Sequence, residues 1–184
     1  MEVVEQLDEE LVAFIREQPV FFVASAPSEG GHVNLSPKGL DTLRVLGPRQ
    51  VAWLDLTGSG NETAAHLADN GRLTMMLCSF GPKALILRLY GRGRVVLPGE
   101  DGFAELAALF DPIPGLRQFV VLDLERIQTS CGYAVPRMDG ARPRDTLRRW
   151  AERKGEEGLE RYRREHNATS IDGLPAPRPR RGGG

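Results

Sequence analysis

Residues 57–61 (TGSGN) are the part of the chain whose residue types and spacing best suit binding chemistry. An apolar run at 51–56 precedes them, and a helical pattern of small apolar residues follows from 62 to 70. A strand that turns through small residues into a helix offers hydroxyl groups and free backbone N–H groups at the positive end of the helix dipole. The spacing predicts a phosphate-binding turn; the alternative is that Ser59 or Asn61 only caps the helix.

A second polar group lies at residues 32–38. Strand alternation places His32, Asn34 and Ser36 on one face, and Pro37 with Lys38 is expected to end this strand. A polar strand face that ends in a lysine indicates a binding site. Taken alone, Lys38 would be an ordinary solvated turn lysine.

Residues 84–97 have the strongest strand pattern in the chain. Arg88, Arg92 and Arg94 alternate with apolar residues and with Gly91 and Gly93, so the arginines share one face. The two glycines predict a bend or a close backbone approach. For Arg92 and Arg94 the favoured interpretation is a solvated or ion-paired strand face.

The composition is that of an ordinary globular protein. The 184 residues include 41% hydrophobic and 27% charged residues, and the net charge of -1 gives no argument for nucleic acid or a membrane surface as a partner. No run approaches the length of a membrane span and the N-terminus is acidic, so a cytoplasmic location is expected. Cys78 and Cys131 lack CxxC spacing and are predicted to be small buried hydrophobes, with no metal site. His66 is predicted to be a surface or capping residue.

The surrounding elements favour a mainly β protein with peripheral helices. An amphipathic helix is predicted over 5–18, another helix follows the TGSGN turn with Gly71 as its cap, and a third spans 100–110. Extended patterns are found at 20–25, 32–36, 42–46, 51–56, 73–78, 84–97 and 119–133. About six short strands with helices between hairpins predict an antiparallel β-barrel of the α+β type.

The C-terminal part has a different character. Residues 145–154 and 156–165 are helical and highly charged, separated by Gly155, and Trp150 and Tyr162 are predicted to anchor this helical pair. The resulting division is a barrel domain at 1–135, a helical extension of the same domain at 136–176, and a disordered Pro/Gly-rich tail at 177–184.

Three motifs in order carry a resemblance to a known family. HVNLSPKG at 32–39, Trp53 followed by SGNET at 59–63 and HL at 66–67, and ILRLYG at 86–91 resemble those of the pyridoxamine 5'-phosphate oxidase-like proteins, the FMN-binding split-barrel group. The resemblance covers residues 5–135. It implies a six-stranded antiparallel split barrel that forms a homodimer and binds FMN in a groove at the subunit interface.

The resemblance also implies which residues contact FMN. The strand residues Asn34, Ser36 and Lys38 would lie along the isoalloxazine ring and ribityl chain, with Lys38 near the phosphate. The other implied contacts lie near the ring or ribityl chain (Trp53, Leu54, Asp55) and at the phosphate (Ser59, Gly60, Asn61, Thr63). A phosphate that carries about -1.5 to -2 charges requires cations and hydrogen-bond donors, which these residues and the helix start supply.

Two departures from the family pattern are visible. The family's best-known member has consecutive basic residues in the phosphate turn, whereas this chain has Gly60, Asn61 and Glu62 there. Glu62 must therefore point away from a phosphate, and the cationic contribution is predicted to come from Lys38 and Arg88. The C-terminal arginine motif that binds pyridoxamine phosphate is also not evident, so vitamin B6 oxidation is not the predicted reaction.

The predicted function is an FMN-dependent oxidoreductase that acts on a small molecule, with NADPH or NADH as a candidate electron donor. The cofactor performs the chemistry in such enzymes, so no catalytic side chain is assigned. Two alternatives stay open. One keeps the barrel with a deazaflavin or haem ligand, and the other is a non-catalytic flavin-binding protein.

Overall fold

An eight-stranded antiparallel sheet forms the body of the protein in the computed structural model, which describes residues 1–179. The strands are β1 (Glu2–Val4), β2 (Phe21–Ser25), β3 (Asn34–Lys38), β4 (Leu43–Gly47), β5 (Gln50–Leu56), β6 (Arg72–Cys78), β7 (Leu85–Val96) and β8 (Leu116–Cys131). The helices are α1 (Glu9–Glu17), α2 (Glu62–Asn70), α3 (Phe103–Ala107) and α4 (Thr146–His166).

The strands follow the order β3-β2-β6-β7-β8-β5-β4, and β1 pairs with the far end of β8. The path does not close on itself, so β3 and β4 are the ends of an open sheet. The predicted mainly β split barrel is confirmed. The sheet has eight strands where six were expected, in part because the three residues of β1 are too few to produce a recognisable alternation.

The inner face of the sheet encloses the main hydrophobic core. Phe21 of β2 contacts Trp53 of β5 with ring centroids 6.2 Å apart, although three strands separate β2 from β5 in the sheet. Contact across that distance in strand order requires the sheet to curl strongly. Helix α1, capped by Asp8, packs Leu11 and Phe14 into the same core.

The outer face carries a smaller core. Leu54 of β5 and Phe119 of β8 pack there against Phe110 and the short helix α3, whose Leu106 is buried. The rings of Phe110 and Phe119 stack with centroids 5.5 Å apart. Helix α3 covers fewer residues than the predicted span of 100–110.

Gly91 and Gly93 confirm the predicted close backbone approach. A Cβ atom on Gly91 would lie 1.9 Å from the backbone oxygen of Asp123, at a register shift between β7 and β8. A Cβ atom on Gly93 would lie 2.8 Å from Leu67, so the missing side chain lets α2 pack directly on the sheet. Gly71 ends α2 in the left-handed conformation, as expected.

Three local predictions are wrong. Strand β3 continues through Pro37 to Lys38, because an edge strand tolerates a proline. Cys131 is exposed rather than buried, since it ends β8 beyond the core, whereas Cys78 is buried as predicted. His66 is completely buried on α2 rather than at the surface.

Helix α4 is interrupted at Gly155, whose φ of 61° is outside the helical range, so the predicted pair of helices is confirmed. Trp150 and Tyr162 join the two halves with an edge-on contact, ring centroids 5.0 Å apart, as predicted. The division of the chain at residues 135 and 176 stays a prediction, and residues 180–184 of the predicted disordered tail lie outside the described residues. Within residues 1–179, no helix combines the length and the apolar character needed to cross a membrane.

Candidate functional site

The candidate site lies at the edge of the inner sheet face, where β3, β5, β8 and the start of α2 meet. Asn34, Ser36 and Lys38 of β3 stand opposite Ser25, Val23 and Phe21 of β2, whose side chains face the core. Residues paired across two strands share a sheet face. The three polar side chains of β3 therefore point to the interior side at the open end of the barrel.

Asn34 is the centre of a side-chain network next to α2. The Ser36 hydroxyl donates to Asn34 Oδ1 at 3.0 Å, and Asn34 Nδ2 donates to the hydroxyl of Thr63 at 3.1 Å. Ser25 Oγ lies 3.0 Å from the ring nitrogen Nδ1 of His66 and 3.4 Å from Asn34 Nδ2. Asn34 and Ser36 of one predicted motif and Thr63 of another are thus in one group, and His66 adjoins it through Ser25.

Lys38 and Asp55 form an ion pair at 2.7 Å, and Arg117 holds the other carboxylate oxygen of Asp55 at 2.6 Å. Gln118 Nε2 also donates to Asp55. Burial alone would raise the pKa of Asp55, but the charges of Lys38 and Arg117 outweigh it and hold that pKa well below its usual range. Asp55 is therefore ionised at neutral pH between two cations, and Lys38, Asp55 and Arg117 together carry one net positive charge.

Arg117 and Gln118 also support the TGSGN turn from below. Arg117 Nη1 donates to the Gly60 carbonyl at 2.9 Å, and Gln118 Nε2 donates to Asn61 Oδ1 at 2.9 Å. Asn61 occupies the N-cap position of α2, but its side chain makes no capping hydrogen bond. Ser59 is exposed at the tip. The first turn of α2 is thus without a side-chain cap, while the adjoining loop is held rigidly and presents an exposed hydroxyl.

The C-terminal helix contributes a second arginine to this turn. Arg163 Nε donates to the Thr57 hydroxyl at 2.8 Å and its Nη2 donates to the Leu116 carbonyl at 3.0 Å. Asn167 donates to the Gly58 carbonyl and accepts from Arg117. Burial lowers the pKa of Arg163, and the neighbouring charge of Arg117 acts in the same direction, but an arginine remains charged at any physiological pH.

Arg117 and Arg163 were not predicted as site residues. Arg117 precedes the strand pattern that was placed at 119–133, and Arg163 is one of many charges on α4. The usable signal was a charged and an amide residue, Arg117 and Gln118, directly before an uninterrupted apolar run, since charges are rare within buried strands unless they are paired.

Glu62 has hydrogen-bond partners in the C-terminal extension, although its carboxylate also lies beside Gly60 of the turn. Its carboxylate accepts hydrogen bonds from the backbone N–H of Ile171 at 3.0 and 3.2 Å. The adjacent Asp172 accepts from the backbone N–H of His32 and lies 2.8 Å from its ring nitrogen Nδ1. Residues 167–172 are here called the C-terminal clasp. They lie beside the turn, where Ile171 donates its backbone N–H to Glu62 and Asn167 donates to the Gly58 carbonyl.

Three predicted site residues lie outside this group or beneath it. Arg88 is on the outer sheet face, where it donates to Ser130 Oγ at 2.9 Å. The Leu54 side chain is in the outer core. Trp53 is completely buried in the inner core below the site, and its indole nitrogen has no hydrogen-bond partner among the described residues.

A cavity of about 1410 Å³ opens beside the site. Its lining includes Lys38, Thr57 and Gly58 at or next to the turn, and residues of the extension between positions 138 and 153. The turn is therefore next to a space large enough for organic molecules. Among residues 1–179, no cluster of three or more His, Cys, Asp or Glu side chains is arranged to hold a metal ion.

Two sequence comparisons agree on the family. A family model described as pyridoxamine 5'-phosphate oxidase matches residues 7–131. The pyridoxamine 5'-phosphate oxidase family protein ustO of Aspergillus flavus is 38% identical over 192 aligned residues, which cover 93% of this chain and 76% of the relative.

Solved structures show the same fold. A candidate pyridoxamine 5'-phosphate oxidase of Lactobacillus delbrueckii superposes with a TM-score of 0.55 at 19% identity, covering 70% of this chain and 99% of that one. HupZ of Group A Streptococcus superposes with a TM-score of 0.54 at 17% identity, covering 75% and 99%. At these identities the likeness concerns the fold alone.

Proposed function

The chain belongs to the pyridoxamine 5'-phosphate oxidase family, and on that premise we propose that it is an FMN-dependent oxidoreductase of a small-molecule substrate. FMN would lie in a groove at a homodimer interface, with its phosphate at residues 57–63. Reduction of the flavin by NADPH or NADH and a cytoplasmic location are parts of the same proposal.

The observation that carries the proposal is the uncapped start of α2 above Arg117. A phosphate with about -1.5 to -2 charges is stabilised by free N–H groups at a helix N-terminus and by nearby cations. The turn supplies these N–H groups and the exposed Ser59 hydroxyl. Lys38 and Arg117 share the single carboxylate of Asp55, which leaves one net positive charge nearby. Glu62, the one acidic residue within 57–63, accepts a hydrogen bond from the backbone N–H of Ile171.

The polar strand face gives the remainder of the cofactor a suitable surface. Asn34, Ser36 and Thr63 are half-buried or buried polar groups next to the turn, where hydroxyl groups of a ribityl chain could exchange hydrogen bonds with them. We assign Asn34, Ser36 and Lys38 to the ribityl chain and ring edge. The backbone of Trp53 and Asp55 adjoins them on β5.

Bound FMN would supply hydride or two-electron transfer, and the chain would bind and orient it. Because one carboxylate, Asp55, faces both Lys38 and Arg117, the three groups leave one net positive charge at the open end of the barrel. The inner hydrophobic core around Trp53 excludes water from the barrel side of the site. No side chain has to act as a nucleophile, which suits a site without a hydrolase-type arrangement.

The test begins with the absorption spectrum of the purified protein and mass spectrometry of the released cofactor. The proposal expects FMN, with bleaching by NADPH or NADH without oxygen and recovery on adding an acceptor. A deazaflavin, haem or no chromophore would overturn the cofactor. FMN that neither donor bleaches would indicate a non-catalytic flavin-binding protein, and sedimentation as a 20.3 kDa monomer would overturn the interface groove.

A further inference from the structure

A buried histidine lies at the inner end of the side-chain network around Asn34. His66 of α2 is completely buried, and its ring nitrogen Nδ1 lies 3.0 Å from the hydroxyl oxygen of Ser25 on β2. The other ring nitrogen, Nε2, has no hydrogen-bond partner among residues 1–179. A buried polar atom without a partner costs free energy, whereas a leucine would fill a similar space without that cost. The histidine therefore indicates that Nδ1 has a task that an apolar side chain cannot perform.

The neighbours of Ser25 determine the direction of its hydrogen bond to His66. In the described part of the chain, two side-chain atoms lie within hydrogen-bond range of Ser25 Oγ, namely His66 Nδ1 and Asn34 Nδ2. An amide nitrogen only donates, so Asn34 Nδ2 donates to Oγ at 3.4 Å and the hydroxyl hydrogen is left for His66 Nδ1. A neutral imidazole carries one hydrogen, which is then on the unpartnered Nε2.

The acceptor at His66 Nδ1 fixes the orientation of the Asn34 amide. An amide group fits the same space in two orientations, which exchange its oxygen and its nitrogen. Because Ser25 donates to His66, it offers Asn34 only lone pairs, which select Nδ2 for the side of Ser25 and Thr63. The amide oxygen then accepts from Ser36. Without an acceptor at position 66, the Ser25 hydrogen would turn toward Asn34 and favour the inverted amide.

The orientation of Asn34 determines which hydrogen-bonding groups the network offers to a ligand. Ser36 uses its hydrogen for Asn34 Oδ1, so its remaining lone pairs can accept from a ligand. Thr63 Oγ1 accepts from Asn34 Nδ2, so its own hydrogen can be donated. Inversion of the amide would exchange these two roles. One buried ring nitrogen thus controls the donor and acceptor pattern of two hydroxyl groups that it does not touch.

We propose that His66 is a positioning residue, which acts through Ser25 to hold the Asn34 amide in one orientation and so sets the hydrogen-bond pattern of the candidate site. With this pattern, the ligand group at Ser36 is a hydroxyl or N–H donor, and the ligand group at Thr63 is an acceptor oxygen. The effect on FMN rests on the proposed function, whereas the orientation of Asn34 is a property of the ligand-free protein.

Nuclear magnetic resonance of the isotope-labelled, ligand-free protein tests the directions of these hydrogen bonds. We expect His66 to be the neutral tautomer with its hydrogen on Nε2, and the Asn34 amide hydrogens to show stronger Overhauser contacts with Thr63 than with Ser36. The chain has three histidines, and the signal that is missing from His66→Asn identifies His66. A hydrogen on Nδ1 of His66 in the wild-type protein would overturn the proposal.

Two substitutions at position 66 separate the acceptor from the packing. His66→Leu fills the space but removes the acceptor, so the Overhauser contacts of the Asn34 amide should move from Thr63 to Ser36. His66→Asn can place an amide oxygen near the former position of Nδ1 and should keep the wild-type contacts. A purely packing role for His66 predicts the opposite ranking, because leucine suits an apolar interior better than asparagine. Wild-type contacts in His66→Leu, or inverted contacts in His66→Asn, would contradict the positioning role.

Fluorescence titration with FMN extends the test to the ligand. Ser25→Ala and His66→Leu should each weaken FMN binding by roughly 3- to 10-fold, since the Asn34 amide loses its fixed orientation. The double variant should bind no more weakly than the weaker single variant, because His66 acts through Ser25. His66→Asn should restore most of the affinity lost in His66→Leu. Losses that multiply in the double variant would show that His66 acts by another route.

The two measurements distinguish this inference from the proposed function. Wild-type protein that does not bind FMN would overturn the proposed function, while the resonance measurements would still decide whether His66 orients Asn34. Protein that binds FMN equally well with and without the acceptor at position 66 would overturn the role of His66 alone.

Discussion

Lys38 and Asp55 join the two sides of the opening in the sheet, with Nζ and Oδ1 2.7 Å apart. Lys38 is on the edge strand β3, and Asp55 is on β5, near the other end of the strand order. The two strands share no backbone pairing, so a side-chain ion pair connects them. Because Arg117 also binds Asp55, the closure of the split barrel and the support of the proposed phosphate site depend on the same carboxylate.

Asp55→Asn should destabilise the protein by about 3–5 kcal/mol, because it leaves the buried guanidinium of Arg117 and the ammonium of Lys38 without their anion. Urea unfolding of the ligand-free protein measures this. Asp123→Asn is the control, since Asp123 is exposed on β8 and should change stability by no more than about 0.5 kcal/mol. Similar losses in both variants would contradict the central role of Asp55.

The contribution of Asp55 should depend on pH with a defined sign. Its pKa in the folded protein lies well below the ordinary value of 3.8. A carboxylate with a lowered pKa contributes stability that is complete above the unfolded value and is lost as pH falls through the folded value. The stability difference between wild type and Asp55→Asn should therefore be constant above about pH 5 and shrink below about pH 4. A difference that stays constant into stronger acid would refute this.

Ser59→Ala should weaken FMN binding by roughly 5- to 150-fold, or about 1–3 kcal/mol, because it removes a hydroxyl donor to the phosphate. The side chain is exposed and has no partner among residues 1–179, so the thermal stability of the flavin-free protein should not change. Fluorescence titration with FMN measures the effect, and Ser59→Thr should retain affinity.

Lys38→Ala should also weaken FMN binding by about 1–3 kcal/mol, since a charge is lost. Unlike Ser59→Ala, it should lower stability as well, because Asp55 loses a partner. FMN content is measured after purification. Full FMN content in both variants would show that the assigned phosphate and ring contacts are wrong.

Gly91→Ala should disrupt the pairing of β7 with β8. The new Cβ atom would lie 1.9 Å from the Asp123 carbonyl oxygen, so the backbone must move, at an expected cost of about 3 kcal/mol or more. Thermal unfolding checks this. Gly47→Ala, also in a strand, is the control because no atom lies within 4 Å of the position that its new Cβ would take, and it should remain within about 1 kcal/mol of wild type.

Ile171→Pro should release the C-terminal clasp from the phosphate turn. The substitution removes the backbone N–H that donates a hydrogen bond to the Glu62 carboxylate, while the exposed Ile171 side chain contributes little packing. We expect faster proteolytic cleavage within residues 167–179. Mass spectrometry of the fragments over time measures the cleavage rate. Ile171→Ala keeps the N–H and should be cleaved at the wild-type rate. If the two variants are cleaved alike, the Glu62 contact does not hold the clasp.

Local patterns in the chain were enough to predict most of the helices and strands and several residues of the candidate site. The TGSGN turn, the polar face of β3, the kink at Gly155 and the close approach at Gly91 each depend on neighbouring residues. Strand alternation, turn residues and helix starts are short-range properties, so they can be read without the fold. The resemblance of three motifs to the family added the prediction that the strands form a split barrel.

Only the tertiary structure decided how the turn is charged and held. Arg117 meets Asp55 across 62 residues of sequence, Arg163 reaches Thr57 across 106, and Ile171 reaches Glu62 across 109. It also placed Arg88 on the outer face and buried His66 under Asn34. Such contacts depend on strand register and on the curl of the open sheet. Because no periodicity in the sequence encodes the partners across that curl, the hydrogen-bond partner of Glu62 was found only in the fold.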